Sequence, residues 1–335
     1  MTSHSAKNKP IGGEQEIFHD GYFYGTTNSG RSSLRWIIQS MQLQGKRILV
    51  PDFICQVVID VLHEYNIEIA FYKINDNFEF ILPSISTQVD AFYLIRYFGH
   101  TSDSFKSALA SLTVPIIIDD VFGTELPQFE NSVKWSYFNS LRKISSISDF
   151  SQVISNTPLI EIKKEPLPIF SNLKYQAKEA KAKFIESSEG EESHYLTLFS
   201  KAEKLLDNSN GIFSADDKSI NLTNQFYRKL DQTKAIHKKN LITAKQHLNS
   251  HQFIDISPEY PSFLPLTLKN RDNVRLTLME HSIFLAVHWP EIQEASNELS
   301  PKILSLPLDS RYTTEDIQHM CELIKKLDRQ PERNT

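Results

Sequence analysis

Glycine is scarce in this chain, ten in 335 residues, so each one at a turn carries weight. Cysteine is scarcer still. Cys55 and Cys321 stand far apart, which excludes a disulfide framework and fits a reducing cytoplasm. A basic surplus is missing as well. Lys and Arg number 36 against 41 Asp and Glu, for a net charge of −5, so nothing points to nucleic acid or an anionic membrane. No apolar run approaches the roughly 18 residues of a membrane span, and the polar MTSHSAKNKP start does not read as a signal peptide. The expectation is a soluble cytoplasmic protein, without internal repeats. What is present is ordinary globular composition, 40% hydrophobic and 11% aromatic. The length suits about two domains at ~100–200 residues each.

The pattern along the chain alternates. Residues 1–20 are polar and read as a flexible arm. Thr26 to Ser33 is rich in Thr, Asn, Ser and Gly and leads into Leu34-Arg35-Trp36-Ile37-Ile38, a helix start. Such an N-terminus carries unpaired N–H groups that suit an anion. Strands are predicted at 47–51, 67–74, 91–98 and 114–118, with helices at 55–65 and 103–112 between them. Strand–helix alternation predicts a mainly parallel sheet, with ligands at the carboxyl ends of its strands. From residue 173 the runs become long, charged and helix-favouring: 175–186, 195–206 and 223–249, the last with Asp231 and Lys234 on one face. His237-Lys238-Lys239 reads as a solvated helix face. A small module then follows, with strands at 263–268 and 284–288 and helices at 272–281 and 314–327. The division expected is a large α/β domain over 21–172, a helical connector over 173–255 and a small α+β domain over 256–330.

The chain centres on Val114 to Ile154. An apolar run, Val114 to Ile118, ends in Asp119 and Asp120, and Lys143 follows in Ser140-Leu141-Arg142-Lys143. An acid delivered by a buried strand and a lysine on a short polar turn suit a Schiff base on the lysine, with the acid holding a pyridinium nitrogen. Either aspartate could serve. Asp119 directly follows the apolar run.

These segments, in this order, resemble the DegT/StrS group of pyridoxal-phosphate-dependent aminotransferases, and within it short divergent members with a Ser-x-Arg-Lys lysine motif. The match is carried by Ser29-Gly30-Arg31-Ser32-Ser33-Leu34, by Leu49 to Cys55, by Ile117-Ile118-Asp119-Asp120 and by Ser140 to Lys143 with Asp149 beyond. Val287-His288-Trp289-Pro290 and Leu304 to Tyr312 complete it. The resemblance implies a fold type I transferase, aspartate-aminotransferase-like. It implies an enzyme that places an amino group on a nucleotide-linked keto-sugar for surface polysaccharide or lipopolysaccharide assembly, with glutamate as donor and a homodimer as the working unit.

The same resemblance implies the site. Lys143 would bear pyridoxal 5'-phosphate and shuttle protons, and Asp119 would face the ring nitrogen. Ser29, Gly30, Arg31 and Ser140 would hold the phosphate. Cys55 lies where longer relatives stack an aromatic ring, so Phe53 becomes the candidate for stacking. His288 and Arg311 would face substrate, and no metal is expected. Two positions depart from the family. Phe122 stands where Gln or His is usual, and Phe150-Ser151 follows Asp149 where glycine lets the backbone approach the cofactor. A non-catalytic binding or scaffold member of the fold is the alternative these departures raise. A sugar dehydratase would carry histidine in place of Lys143.

Overall fold

The apolar runs become the middle of a sheet. The computed structural model describes residues 19–82, 88–187 and 189–329, so most of the expected arm at 1–20 lies outside the described residues. Within them, β1 (Phe23–Thr27), α1 (Gly30–Ser40), β2 (Arg47–Pro51), α2 (Gln56–Glu64), β3 (Glu68–Ile74) and β4 (Phe80–Ile81) open the chain. Next come β5 (Ala91–Ile95), α3 (Asp103–Ser111), β6 (Ile116–Asp120), β7 (Trp135–Asn139) and β8 (Ser151–Ser155). The eight strands form one sheet in the order β1-β8-β7-β6-β5-β2-β3-β4. The five inner strands from β7 to β3 run parallel, while β8, paired with β1, and β4 are antiparallel to their neighbours. Because β1 opposes β8 and β8 opposes β7, the end of β1 meets the same edge as the ends of β2, β5, β6 and β7. Ligands gather at that edge in such sheets.

Local chemistry fixes α1 there. Ser29 caps it, its hydroxyl accepting from the Ser32 amide. Thr27 Oγ1 meets Ser33 Oγ at 2.8 Å, and Ser33 Oγ meets Ser151 Oγ at 2.7 Å, tying the first turn to β1 and β8. Gly30 lets α1 approach the sheet closely, since a Cβ there would sit 3.2 Å from the Phe138 ring and press on it. Further along, buried Arg35 forks onto Glu64 of α2 with two 2.7 Å hydrogen bonds.

The helical section is β9 (Glu165–Pro166), α4 (Pro168–Ser187), α5 (Glu192–Asp207), β10 (Phe213–Ser214), α6 (Asp217–Arg228) and α7 (Leu230–His247). Helices α4 and α5 pack as a hairpin around Phe170, Ala202 and Leu206. The last module pairs β11 (Phe263–Thr267) antiparallel with β12 (Ile303–Pro307), and adds α8 (Arg271–Glu280) and α9 (Thr314–Leu327). A capping box between Thr313 and Asp316 opens α9.

Several sequence readings move. The strand expected at 114–118 is displaced to Ile116–Asp120, because both carboxylates find partners inside the sheet. The strand expected to end at Phe98 stops at Ile95 and passes into a 3-10 turn, where Phe98 has φ 54°. No strand forms at 284–288. Only Ala286 bridges to Ser305, because Trp289 takes φ 52° and Pro290 has no N–H to give. The helix predicted over 223–249 is two helices that meet at Lys229. Lys234 pairs with Glu259 rather than Asp231. His237 is buried against Tyr260, ring centroids 4.6 Å apart, so only its neighbours Lys238 and Lys239 are solvated.

Candidate active site

Strand alternation separates the two aspartates. Tyr93 on β5 pairs in register with Ile117, two residues before Asp119, so Tyr93 and Asp119 share a face of the sheet. Tyr93 donates to Asp119 Oδ2 at 2.6 Å, and the Val121 amide donates to Oδ1 at 3.2 Å. Asp120 points the other way. It takes Arg96 Nη1 at 2.9 Å and the Tyr137 hydroxyl at 3.2 Å, and the turn that follows needs Gly123, because a Cβ there would overlap the Asp120 carboxylate. Asp120 is thus spent on the fold, and Asp119 is the acid that faces the edge.

Lys143 closes a 3-10 turn, Leu141–Lys143, immediately after β7. The Lys143 side chain reaches solvent, yet the protein packed around it, with the Arg142 charge adding, shifts its ammonium pKa downward from the ordinary value. Asp119 lies close enough to feel the Lys143 charge. Burial lifts its carboxyl from the ordinary 3.8 to about 7, against the lowering effects of the Tyr93 hydrogen bond and of Lys143. Cys55, the N-cap residue of α2, neighbours both Tyr93 and Lys143.

Lys143 also feels a group of charges that sequence reasoning missed. Glu203 of α5 accepts from Lys174 of α4 at 2.6 Å and from Arg142 at 3.4 Å, and lies 3.7 Å from Arg31. Burial alone would raise the Glu203 carboxyl, but Arg142 and Lys174 hold it well below the usual carboxylate range. Arg31 also pairs with Asp207 at 2.5 Å. No spacing pattern links Glu203 or Lys174 to Lys143; only the α4–α5 hairpin brings them together. Beside them, Ser140 Oγ and Arg142 Nη1 are buried without a hydrogen-bond partner. The first amides of α1, at Gly30 and Arg31, have no intrahelical acceptor.

The remaining residues divide. His288 is brought in: it neighbours Lys143, its Nδ1 lies 2.7 Å from Ser305 Oγ, and burial pushes its pKa down to about 3. Arg311 is not brought in. Its guanidinium forks onto Asp309 at 2.6 and 2.8 Å, and the lysines that feel its charge are Lys178 and Lys181 on α4. The Ser29 hydroxyl is committed to the cap and to Asn28 Oδ1. Phe53 is fully buried against Phe78, Tyr97 and Trp289, which removes it as a stacking platform. Phe122 joins the same aromatic cluster, 5.5 Å from Phe98 and 5.0 Å from His288. Phe150 packs into the core, and Ser151 bonds the Asn139 carbonyl.

No family model and no curated protein matches the chain. Solved structures do. A putative sugar aminotransferase, Spr1654 from Streptococcus pneumoniae in its PMP form, matches at TM-score 0.64 and 12% identity, over 91% of this chain and 86% of that one. DesV of S. venezuelae, in complex with a ketimine intermediate, matches at 0.62 and 11%, over 92% and 85%. A DegT DnrJ EryC1 StrS aminotransferase from Brucella abortus matches at 0.60 and 13%, over 92% and 86%. At such identities the likeness is one of fold, and the fold is the type I transferase fold expected from the sequence.

Proposed function

We propose that this protein is a pyridoxal-phosphate-dependent aminotransferase acting on the keto group of a nucleotide-linked sugar, with Lys143 as its reactive amine. The observation that carries the reading is the common environment of Lys143: its charge acts on the buried Asp119 carboxyl, and the charges of Arg142, Glu203 and Arg31 act on it. The residues present fit the cofactor. Ser140 Oγ and Arg142 Nη1 are buried donors without partners, and α1 turns two free amides to the same edge.

When bound, pyridoxal phosphate supplies an aldehyde that takes up amines and a ring that draws electrons from the adjacent carbon. Lys143 Nζ, whose ammonium pKa is shifted downward by its surroundings, takes and returns the proton moved during transfer. Asp119, as its carboxylate, keeps a proton on the ring nitrogen. Gly30, Arg31 and Ser140 bind the phosphate, Ser29 shapes the turn that presents them, and Cys55 borders the cofactor. His288, neutral near pH 7, faces the substrate. Arg311 stays a substrate candidate only if it leaves Asp309. The sugar substrate is supported by neighbours named as sugar aminotransferases and by DesI, solved with its TDP-sugar product. A cytoplasmic homodimer serving polysaccharide or lipopolysaccharide assembly, with glutamate as donor, completes the proposal.

The test is covalent. Protein purified with pyridoxal phosphate is treated with borohydride and digested, and the peptide containing Lys143 is expected to carry the reduced cofactor mass, lost in Lys143→Ala. An unlabelled Lys143 peptide at saturating cofactor would sink the reading.

A further inference from the structure

The cations beside Lys143 are already holding an anion, and it is part of the chain. Glu203 reaches from α5 into the group formed by Arg31, Arg142 and Lys174, each from a different element. One carboxylate carries a single charge on two oxygens. Three cations surround it, and among the described residues the only other acid paired there is Asp207, on Arg31 alone. Donor capacity is left over as well: Arg142 Nη1 and Ser140 Oγ are buried and unpartnered. A site with more charge and more donors than its occupant can use suits a larger oxyanion, a doubly charged phosphate with three free oxygens.

We infer that Arg31, Arg142 and Lys174 form a receiving site for a phosphate dianion and that Glu203 is its resident competitor, so phosphate binding displaces Glu203 from these cations. Identifying that phosphate with the cofactor's rests on the function proposed above. The oxyanion site itself does not. The hairpin geometry makes displacement feasible, since Glu203 is about one-third exposed while Arg31, Arg142 and Lys174 are each nearly buried. The acid can swing toward solvent while the cations stay.

The experiment measures binding of inorganic phosphate, pyridoxal phosphate and unphosphorylated pyridoxal to the whole chain and to Glu203→Gln. Removing the competitor is expected to tighten both phosphate ligands by about tenfold and to leave pyridoxal unchanged. Lys174→Met is expected to weaken both. If Glu203→Gln does not fold, Glu203→Asp carries the test, because its shorter carboxylate retreats from Arg142 and Lys174 and must shift affinity the same way. Weakened or unchanged phosphate binding in the folded Glu203 variant overturns the inference and leaves Glu203 as an organiser of the cations. Tightened phosphate binding without a borohydride-fixed label on Lys143 keeps the site and removes the cofactor reading. A label on Lys143 with no effect of Glu203 does the reverse.

Discussion

Tyr93 donates a 2.6 Å hydrogen bond to Asp119 Oδ2, both side chains being almost fully buried. The bond favours the carboxylate and works against the burial that favours the neutral acid. Tyr93→Phe removes the donor while keeping the ring. A hydrogen bond to a charged group contributes about 1.5–3 kcal/mol, so the Asp119 midpoint should rise by roughly one unit or more. Carbon-13 NMR of the Asp119 carboxyl in cofactor-free protein reads it directly. A midpoint that stays at the wild-type value would mean that the tyrosine is only filling space.

Asp119 also makes stability depend on pH. Its carboxyl is raised from the ordinary 3.8 to about 7 in the folded chain. Within that window the native state holds more protons than the unfolded one, so stability falls as pH rises. The loss runs at roughly 1.4 kcal/mol per unit where the two states differ by a whole proton. It is complete above about 7. Asp119→Asn removes the titration. Urea midpoints at pH 5 and pH 8 should separate widely in the wild type and less in the variant, with the variant the more stable at pH 8. An equal drop in both proteins would place the pH dependence elsewhere.

Asp149, six residues beyond Lys143, collects three donors from outside its own loop. Ser171 of α4 donates at 2.6 Å, the Asp216 amide that precedes α6 at 3.0 Å, and Ser219 of α6 through its hydroxyl. This carboxylate fastens the lysine-bearing loop to two helices. Asp149→Ala leaves those donors without an acceptor and should cost about 2–4 kcal/mol, since each buried orphan carries a penalty of order 1–3 kcal/mol. Denaturant unfolding measures it. A loss below about 0.5 kcal/mol, no more than a surface substitution costs, would show that water replaces the latch.

How much of this was legible follows from periodicity. The apolar run before Asp119 and the periodic run of α9 (Thr314–Leu327) announce themselves because one face, or both, is buried. Strand β7 (Trp135–Asn139), just before the lysine, was not foreseen. Its Trp-Ser-Tyr-Phe-Asn mixes polar groups into a fully buried strand, with Ser136 bonded to Ser155 and Asn139 to the Gln152 amide. The sequence could nominate Asp119, Lys143 and Gly30 because their motifs are local. Glu203 and Lys174 could not, since they reach Lys143 only when α4 and α5 fold back as a hairpin. Arg311 shows the opposite limit. Its partner, Asp309, is two residues away, and a local ion pair leaves no trace in a motif.

Asp120 carries the last prediction, because it is the residue that competes with Asp119 on paper and not in the fold. It is fully buried, bonded to Arg96 at 2.9 Å and to Tyr137 at 3.2 Å. Arg96→Leu leaves that carboxyl without its cation, and breaking one side of a buried pair costs about 3–5 kcal/mol. Asp120→Asn should cost stability too, while the Lys143 environment, which lies on the other face of β6 (Ile116–Asp120), is left intact. The measurement is a double-mutant cycle of unfolding free energies for Arg96→Leu and Asp120→Asn, run beside pyridoxal-phosphate titrations of Asp119→Asn and Asp120→Asn. A coupling energy above about 1 kcal/mol is expected, with cofactor affinity lost in Asp119→Asn and kept in Asp120→Asn. If Asp120→Asn is the variant that loses the cofactor, the two carboxylates have been assigned to the wrong faces and the role given to Asp119 passes to its neighbour.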